Sequence, residues 1–250
     1  MVTFDRQGAV GIVTLDRPPV NAIDSSVLDC LDAICQQVES GDAARVLVVR
    51  SAQRVFCAGV DIHMITELLK RDGDGSHMLA FVRRIQAVFA RWRALPVPTI
   101  AAVSGAATGG GLELSMSCDL RVAAADARMG LTEVKIGLLP GAGGTQLLTR
   151  LAGPGVAARM ILSGELIDGT EAERLGIVHC VREASAVEGT ALEWAEVLAT
   201  KPASALREIK RCLLLAPSPE GYAAEIEGSA RLLADPKTLT TVADFFAARR

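Results

Sequence analysis

The sequence predicts an α/β fold followed by a helical C-terminal part, and three observations support this prediction. Up to about residue 130, short apolar stretches typical of strands alternate with amphipathic stretches typical of helices. Beyond Gly143, helical patterns dominate. Near the middle of the chain, a buried-strand pattern runs into three consecutive glycines, and a helix pattern follows them.

The first elements are predicted from alternation, apolar runs and capping residues. Residues 2–6 and 9–15 alternate around Gln7-Gly8, which predicts a β-hairpin. Asp24 can accept hydrogen bonds from the free N–H groups of a helix that continues to Gln37. Residues 45–50 form an apolar, β-branched run that predicts a buried strand, and residues 55–58 predict a second, short one.

The middle of the chain combines a long helical pattern with further strands. Residues 62–95 are helical in pattern, but an Asp- and Gly-rich break over 71–75 predicts a loop. Two prolines then introduce a strand over 99–104, and a helix is predicted from about Gly111. Residues 119–123 and 127–129 predict two more strands.

The C-terminal part is predicted to be mainly helical. Helices are expected over 144–151 and 155–162, and Thr170 with Glu173 forms a capping box that predicts the start of another. A short strand is expected over 177–181. Three long helical patterns follow over 188–250, with breaks at Pro202, Pro217 and Pro236.

Composition and charge exclude several classes of partner. The 250 residues are 50% hydrophobic and 22% charged, the net charge is −3, and no basic stripe is present for a phosphate backbone. We therefore expect no nucleic-acid partner. The most apolar stretch, 99–120, contains four glycines and two acidic residues, so we expect no membrane span. The N-terminus lacks the positive start and apolar run of a signal peptide.

Cysteine and histidine usage favours a cytoplasmic protein without a bound metal. The six cysteines include no Cys-x-x-Cys pair and mostly lie within apolar runs, which is typical of reduced thiols in the cytoplasm. The three histidines are scattered, and none stands at ligand spacing from a cysteine or a carboxylate. We therefore expect no metal site.

The glycine run Gly109-Gly110-Gly111 is the strongest candidate for a site. Glycines let the backbone approach a ligand closely, and the start of a helix leaves N–H groups free at its positive end. Such donors can stabilise a negative oxygen that develops during a reaction. Glu113 adds a carboxylate in the first turn of the same helix. Tight strand–helix packing is the alternative explanation, whereas the spacing fits neither a dinucleotide-binding loop nor a Walker loop.

Three motifs, in their order along the chain, resemble those of the enoyl-CoA hydratase (crotonase) family. They are Ala58-Gly-Val-Asp-Ile62, the run from Ala102-Val-Ser-Gly105 through Glu113 to Cys118-Asp119, and Glu133 with Leu139-Pro-Gly-Ala-Gly-Gly-Thr-Gln146. The resemblance covers nearly the whole chain. It implies a crotonase-like core of repeated ββα turns in a superhelix over residues 1–195, and a helical C-terminal trimerisation region over residues 196–250.

The resemblance also implies a ligand and an assembly. The ligand is an acyl-CoA thioester, so coenzyme A is part of the substrate and no separate cofactor is expected. Ala58 matches the position whose carbonyl meets the adenine, and Asp61, Ile62 and His63 continue the stretch that lines the coenzyme. Relatives form trimers that often pair into hexamers, which makes a homotrimer or a dimer of trimers the expected state.

The catalytic roles come from the same resemblance. Val60 and Gly110 match the two positions whose backbone N–H groups form the oxyanion hole, and Glu113 and Glu133 match the two glutamates of the hydratases. Adding water across a conjugated double bond requires a nucleophile at C3 and a proton at C2. Two carboxylates can hold one water, one of them accepting its proton while the other supplies the proton to C2. We therefore predict an enoyl-CoA hydratase, a hydro-lyase of the kind used in fatty-acid β-oxidation.

Two other functions stay open beside hydration. One is an enoyl-CoA isomerase or another crotonase-type lyase, and the other is a non-catalytic acyl-CoA-binding subunit. Serine hydrolysis is not supported, because neither serine beside the glycines stands in a Gly-x-Ser-x-Gly elbow. Acyl-chain length stays undetermined, and the candidates for the apolar wall of the acyl site are Met64, Leu68, Phe81 and Leu139.

Overall fold

Eight strands and ten α-helices form the described part of the chain, residues 1–41, 44–216 and 218–247 of a computed structural model. The strands are β1 (Val2–Gln7), β2 (Val10–Leu15), β3 (Val46–Ser51), β4 (Thr99–Val103), β5 (Ala107–Thr108), β6 (Leu120–Ala124), β7 (Met129–Gly130) and β8 (Cys180–Arg182). The helices are α1 (Ser25–Glu39), α2 (Ile62–Asp72), α3 (Ser76–Arg93), α4 (Gly110–Met116), α5 (Gly144–Ser163), α6 (Gly169–Arg174), α7 (Val187–Ala199), α8 (Ala203–Leu215), α9 (Pro219–Ala234) and α10 (Pro236–Ala247).

Six of these strands form one sheet in the order β1-β2-β3-β4-β6-β8. The hairpin pair β1 and β2 is antiparallel, and every later neighbour in the sheet is parallel. Parallel strands need crossover connections, which the helices between them supply. The two short strands β5 and β7 form a separate parallel pair, and this pair holds the segments around the glycine run.

The core lies between the large sheet and the helices that cover it. Strands β2 and β4 are buried along their whole length, as expected for strands covered on both faces. Helix α1 contacts β1 and α3, whereas α7 covers β2, β3, β4 and β6. The Asp24 carboxylate accepts a hydrogen bond from the Val27 N–H and so begins α1, and the apolar face of that helix is buried.

Several predictions about the first half of the chain are confirmed. The β-hairpin turns at Gly8, whose φ is 59°, and the break between α2 and α3 falls at Gly73 and Gly75. The strand predicted over 55–58 is wrong. Only Cys57 of that segment makes a single bridge, to Ala107, because the chain turns there towards the glycine run.

The C-terminal part agrees with the predicted helices and differs from the prediction in the cap of α6. The two helices expected over 144–151 and 155–162 are confirmed as the two halves of α5, because Gly153, with a φ of 81° and a ψ of 164°, interrupts the helix between them. The capping box at Thr170 does not form, because Asp168, two residues earlier, caps α6 by accepting from the Glu171 N–H. The predicted breaks at Pro202 and Pro236 are confirmed, and the described residues of the helical patterns over 188–250 form four helices, α7 to α10. The predicted break at Pro217 lies outside the described residues.

The crotonase-like α/β class with a helical C-terminal region agrees with this architecture. The predicted boundary between residues 195 and 196 falls inside α7, and the division into two regions stays a prediction. Among the described residues, no helix is both long enough and apolar enough to cross a membrane.

Candidate active site

The glycine run connects β5 to α4 in a conformation that requires glycine. Gly109 has φ 52° and ψ −127°, a region essentially restricted to glycine. A Cβ on Gly111 would stand 2.1 Å from the Cys57 carbonyl oxygen, so the backbone of α4 approaches the 57–60 segment as closely as possible. The glycine run is therefore tightly packed and is also suited to a ligand site, because the close contact places the start of α4 against Val60.

Two backbone N–H groups lie side by side at this contact. A Cβ added to Gly110 would stand 3.5 Å from the Val60 nitrogen. A Cβ added to Gly59 would stand 3.3 Å from the Gly110 nitrogen. Hydrogen bonds from Ile23 N–H to Gly59 and from Asp61 N–H to Ile23 fix the segment. Within the described residues neither N–H has a protein acceptor, and both residues line one cavity. The pair can therefore donate to one ligand oxygen.

Glu113 stands in the first turn of α4 with its side chain almost fully buried. Its residue is 2% exposed, and Oε1 accepts hydrogen bonds from the N–H groups of Ala142 and Gly144, at 2.8 and 2.7 Å. Burial raises the pKa of this carboxyl to about 7, with a further contribution from the negative charge of Glu133. The two N–H donors oppose the rise. Glu113 is therefore poised to gain or lose a proton near neutral pH.

Glu133 faces Glu113 from the start of a short 3-10 helix, Glu133–Ile136. Its Oε1 is 3.0 Å from the position of a Cβ on Gly109, so the carboxylate lies directly over the glycine run. Its Oε2 is buried and has no hydrogen-bond partner among the described residues. Burial raises the pKa of this carboxyl as well. A buried, unpartnered carboxylate oxygen of this kind can receive a water or a substrate proton.

The two carboxylates and the two N–H groups open into a cavity of about 300 Å³. Its walls are mostly apolar, as in other small-molecule sites. The wall on α3 consists of four side chains at helical spacing, namely Met78, Phe81, Val82 and Ile85. The opposite wall consists of Ile136, Leu138 and Leu139.

Two of the four residues predicted for the apolar wall, Phe81 and Leu139, line this cavity. Met64 and Leu68 do not, because they pack against the hydrophobic core instead. The signal that could have found the missed α3 residues is their i, i+3, i+4, i+7 spacing, which places them on one face.

The residues predicted to contact coenzyme A lie at the mouth of the cavity or near it. Ala58 and Ile62 line the cavity, and Ile62 is 64% exposed. The Ala58 carbonyl accepts a hydrogen bond from the Thr108 hydroxyl at 3.1 Å, which leaves its second lone pair available. His63 is exposed and does not line the cavity. Their coenzyme contacts stay predictions.

Asp61, the fourth of these residues, has structural partners. Its carboxylate accepts from the N–H groups of His63 and Met64 and so caps α2, and it pairs with Arg17 at 3.0 Å. No group of three residues that could hold a metal ion occurs in the described ranges.

Comparison with known proteins agrees with this geometry. A family model described as enoyl-CoA hydratase/isomerase matches residues 5–241. A short-chain-enoyl-CoA hydratase of Clostridium acetobutylicum is 36% identical over 214 residues, which is 85% of this chain and 80% of that protein. The Pseudomonas aeruginosa DspI structure has a TM-score of 0.93 at 34% identity, covering 99% of this chain and 94% of that one. An enoyl-CoA hydratase from Bacillus anthracis has a TM-score of 0.91 at 30% identity, covering 99% and 96%.

Proposed function

The chain belongs to the enoyl-CoA hydratase/isomerase family, and we propose that it is a hydratase that adds water across the trans-2 double bond of an enoyl-CoA thioester. The observation that carries the proposal is the pair of carboxylates, buried Glu113 and half-buried Glu133, beside the free N–H groups of Val60 and Gly110. An isomerase needs to move one proton, whereas hydration needs a held water and a proton donor at the same time. A pair of facing carboxylates suits hydration.

In the proposed reaction, the thioester oxygen accepts hydrogen bonds from the Val60 and Gly110 N–H groups. Water adds through its oxygen to C3 while one carboxylate accepts a water proton, and the other carboxyl, which is protonated, gives its proton to C2. The proton gained by the first carboxylate then replaces the one lost by the second, so the net change is the addition of one water. The negative charge that develops on the thioester oxygen in between is stabilised by the two N–H groups, and losing such a donor costs about 10²–10³ in rate.

The raised pKa values of the two glutamates support this division of labour. Both carboxyls are held above their ordinary range by burial, and the charge of Glu133 further raises the pKa of Glu113. Two interacting carboxyls with raised pKa values favour a state in which one is ionised and the other protonated. That state supplies a base and an acid together.

We propose that coenzyme A binds as part of the substrate along Ala58, Asp61, Ile62 and His63, and that no separate cofactor takes part. The carbonyl of Ala58 has a free lone pair, and Ile62 is exposed at the cavity mouth. Asp61 contributes by capping α2, since its carboxylate accepts from the N–H groups at the start of that helix and so fixes the backbone of the segment.

We further propose that the protein is a cytoplasmic homotrimer or a dimer of trimers. Large apolar side chains of α9 and α10 are exposed, including Tyr222, Ile226, Leu233, Leu239 and Phe246. The amount of exposed apolar surface on these helices favours a protein–protein contact there. The cysteine pattern supports a reducing compartment. Light scattering should give the mass of three or six chains.

The experiment that tests hydration follows the loss of the conjugated thioester absorbance with crotonyl-CoA and with longer trans-2-enoyl-CoAs. The wild type and the variants Glu113→Gln and Glu133→Gln are compared, and the product is identified to separate hydration from isomerisation. We expect the wild type to form the 3-hydroxyacyl product and each variant to lose about 10²–10⁴ in rate. Binding without hydration of any of these thioesters would show that the protein is an acyl-CoA-binding subunit or another member of the family.

A further inference from the structure

A second cavity, of about 540 Å³, lies at the opposite end of α4 from the glycine run. The C-terminal ends of α3, α4 and α8 and the first half of α5 contribute to its walls. Its apolar lining comes mainly from leucines, namely Leu147, Leu151, Leu213 and Leu214. No step of the proposed hydration uses this cavity.

The charged side chains that line this cavity are mostly cationic. Three arginines and a lysine line it, whereas Asp119 is its only acidic lining residue among the described residues. Asp119 is already engaged, because it pairs with Lys210 at 2.7 Å and accepts hydrogen bonds from the N–H and hydroxyl of Thr99. The three arginines are Arg93, Arg121 and Arg150, and their charge is left without a carboxylate partner in the described part of the chain.

Arg121 has a structural role that accounts for its position. Its side chain is 1% exposed, and it donates hydrogen bonds to the carbonyl oxygens of Ser115, Cys118 and Ile177. It therefore ties the end of α4 to the segment before β8. Burial lowers its pKa to about 10, so it remains a cation at neutral pH and adds positive potential to the cavity.

Arg93 and Arg150 have no such explanation. The Arg93 Nε is buried and finds no hydrogen-bond acceptor in the described ranges. Burial and the neighbouring positive charge of Arg150 both lower the pKa of Arg93. The negative end of α3 favours a cation at Arg93 but supplies no acceptor to this nitrogen. Arg93 is half-buried and Arg150 is exposed, and both line the cavity without a carboxylate partner in the described ranges. Their guanidinium groups can therefore donate charge-assisted hydrogen bonds to an oxyanion in the cavity.

We propose that this cavity binds an oxyanion, a carboxylate or a phosphate group, between the guanidinium groups of Arg93 and Arg150. Guanidinium groups suit such ligands because their planar fork matches the geometry of both oxyanions. The leucine walls accommodate an apolar body that carries the anion. Two sources share this chemistry: a free small molecule, and a carboxylate side chain of a second copy of this chain.

The test titrates inorganic phosphate and hexanoate into the full-length protein by calorimetry, at constant ionic strength and with chloride as the reference anion. Wild type is compared with Arg93→Gln, Arg150→Gln and the charge-preserving Arg150→Lys. The matched control is Arg83→Gln, since Arg83 is an exposed arginine on the same helix as Arg93. Light scattering gives the mass of every variant, and circular dichroism establishes that each is folded.

Two outcomes support the proposal. In the first, phosphate or hexanoate binds to wild type, and its affinity falls about tenfold or more in Arg93→Gln and Arg150→Gln. The affinity is unchanged in Arg83→Gln and intermediate in Arg150→Lys. Alternatively, no free anion binds, and the Arg93 and Arg150 variants lose the assembled mass that wild type and Arg83→Gln keep, which identifies a carboxylate of another copy as the anion. The proposal would be overturned if Arg83→Gln lowered the anion affinity as much as the other variants do. It would also be overturned if no anion bound to wild type and the assembled mass of the Arg93 and Arg150 variants were unchanged.

Discussion

The carboxylate of Glu133 rests on the backbone of Gly109, with Oε1 3.0 Å from the place where a side chain at residue 109 would begin. This contact sets the depth at which Glu133 enters the cavity. It also explains why the residue before α4 must lack a side chain, independently of its backbone conformation. One glycine thus serves both the turn and the position of a carboxylate.

Replacing Gly109 with alanine should impair catalysis by displacing Glu133. The new methyl group would stand 3.0 Å from Oε1, which is closer than a normal contact, so the carboxylate must shift. In addition, a φ of 52° with ψ −127° strains any other residue by about 1–3 kcal/mol. We expect the rate of hydration to fall at least about tenfold, and the free energy of unfolding to fall by the strain. Steady-state kinetics and urea denaturation measure the two effects.

The matched control for this change is Gly189→Ala, because a Cβ at that helical position meets nothing within 4 Å. It should keep full activity and gain up to about 1 kcal/mol of stability. Full activity in Gly109→Ala would show that Glu133 does not depend on this contact.

Stability should depend on pH through Glu113. Its pKa is raised from 4.5 to about 7, so the folded protein holds a proton that the unfolded chain releases. Stability is therefore highest below about pH 4.5 as far as this group is concerned, and falls as the pH rises from there to about 7. Glu113→Gln removes this dependence and keeps an acceptor for Ala142 and Gly144. We expect it to stabilise the protein by about 3 kcal/mol at pH 8, and by little at pH 4.5, in urea denaturation.

Removing the charge of Glu133 should shift the titration of Glu113 to lower pH. In Glu133→Gln the repulsion that raises the pKa of Glu113 is gone, while burial, the larger cause, remains. The pKa should therefore fall and yet stay above 4.5. Carbon NMR of labelled glutamate measures it directly, with Glu196→Gln, an exposed change on α7, as the control. An unchanged titration would show that the two carboxyls do not interact.

Gln86 should act as a positioning residue for Glu113. Its side-chain amide donates to the Gly141 carbonyl at 2.7 Å, next to Ala142, whose N–H holds Glu113. Gln86→Ala loosens that loop, and we expect kcat to fall about three- to tenfold, the equivalent of a hydrogen bond worth about 1 kcal/mol. KM for crotonyl-CoA should change little. Gln37→Ala, an exposed change on α1, should leave kcat unaltered.

The α3 wall should limit the length of the acyl chain. Val82 lines the cavity, so Val82→Phe reduces the space available to a long chain but leaves the carboxylates in place. We expect kcat/KM for trans-2-decenoyl-CoA relative to crotonyl-CoA to fall about tenfold or more. Leu79→Phe, an exposed change on the same helix, is the control. Equal effects of both changes would place the long chain elsewhere.

The sequence was sufficient for features with a local cause. The hairpin at Gly8, the cap at Asp24 and the helix after the glycine run all follow from residues near one another in the chain. The cap of α6 was mispredicted because Asp168 and Thr170 are both suitable caps. In the structure Asp168 is the cap, and the chain is tightly packed immediately after it, since a Cβ at Gly169 would stand 2.0 Å from the Ala124 carbonyl oxygen.

The sequence was sufficient to predict the two carboxylates of the site but not the groups that position them. The motifs identified Glu113 and Glu133, whereas the donors Ala142 and Gly144 became visible only in three dimensions. Which face of α3 meets the cavity depends on how that helix packs on the rest of the chain. Both α2 and α3 carry apolar faces in the sequence, and both line the cavity, α2 with Ile62 and Ile65 and α3 with four side chains.

The short parallel pair of β5 and β7 has a consequence for how this protein can change. The Gly109 N–H donates to the Gly130 carbonyl at 2.9 Å, so the two segments that carry the carboxylates leave adjacent strands in a fixed register. Main-chain hydrogen bonds maintain that register whatever side chains stand at residues 113 and 133. Substitutions at these two positions can therefore change the chemistry of the site while the backbone that positions both residues keeps its structure.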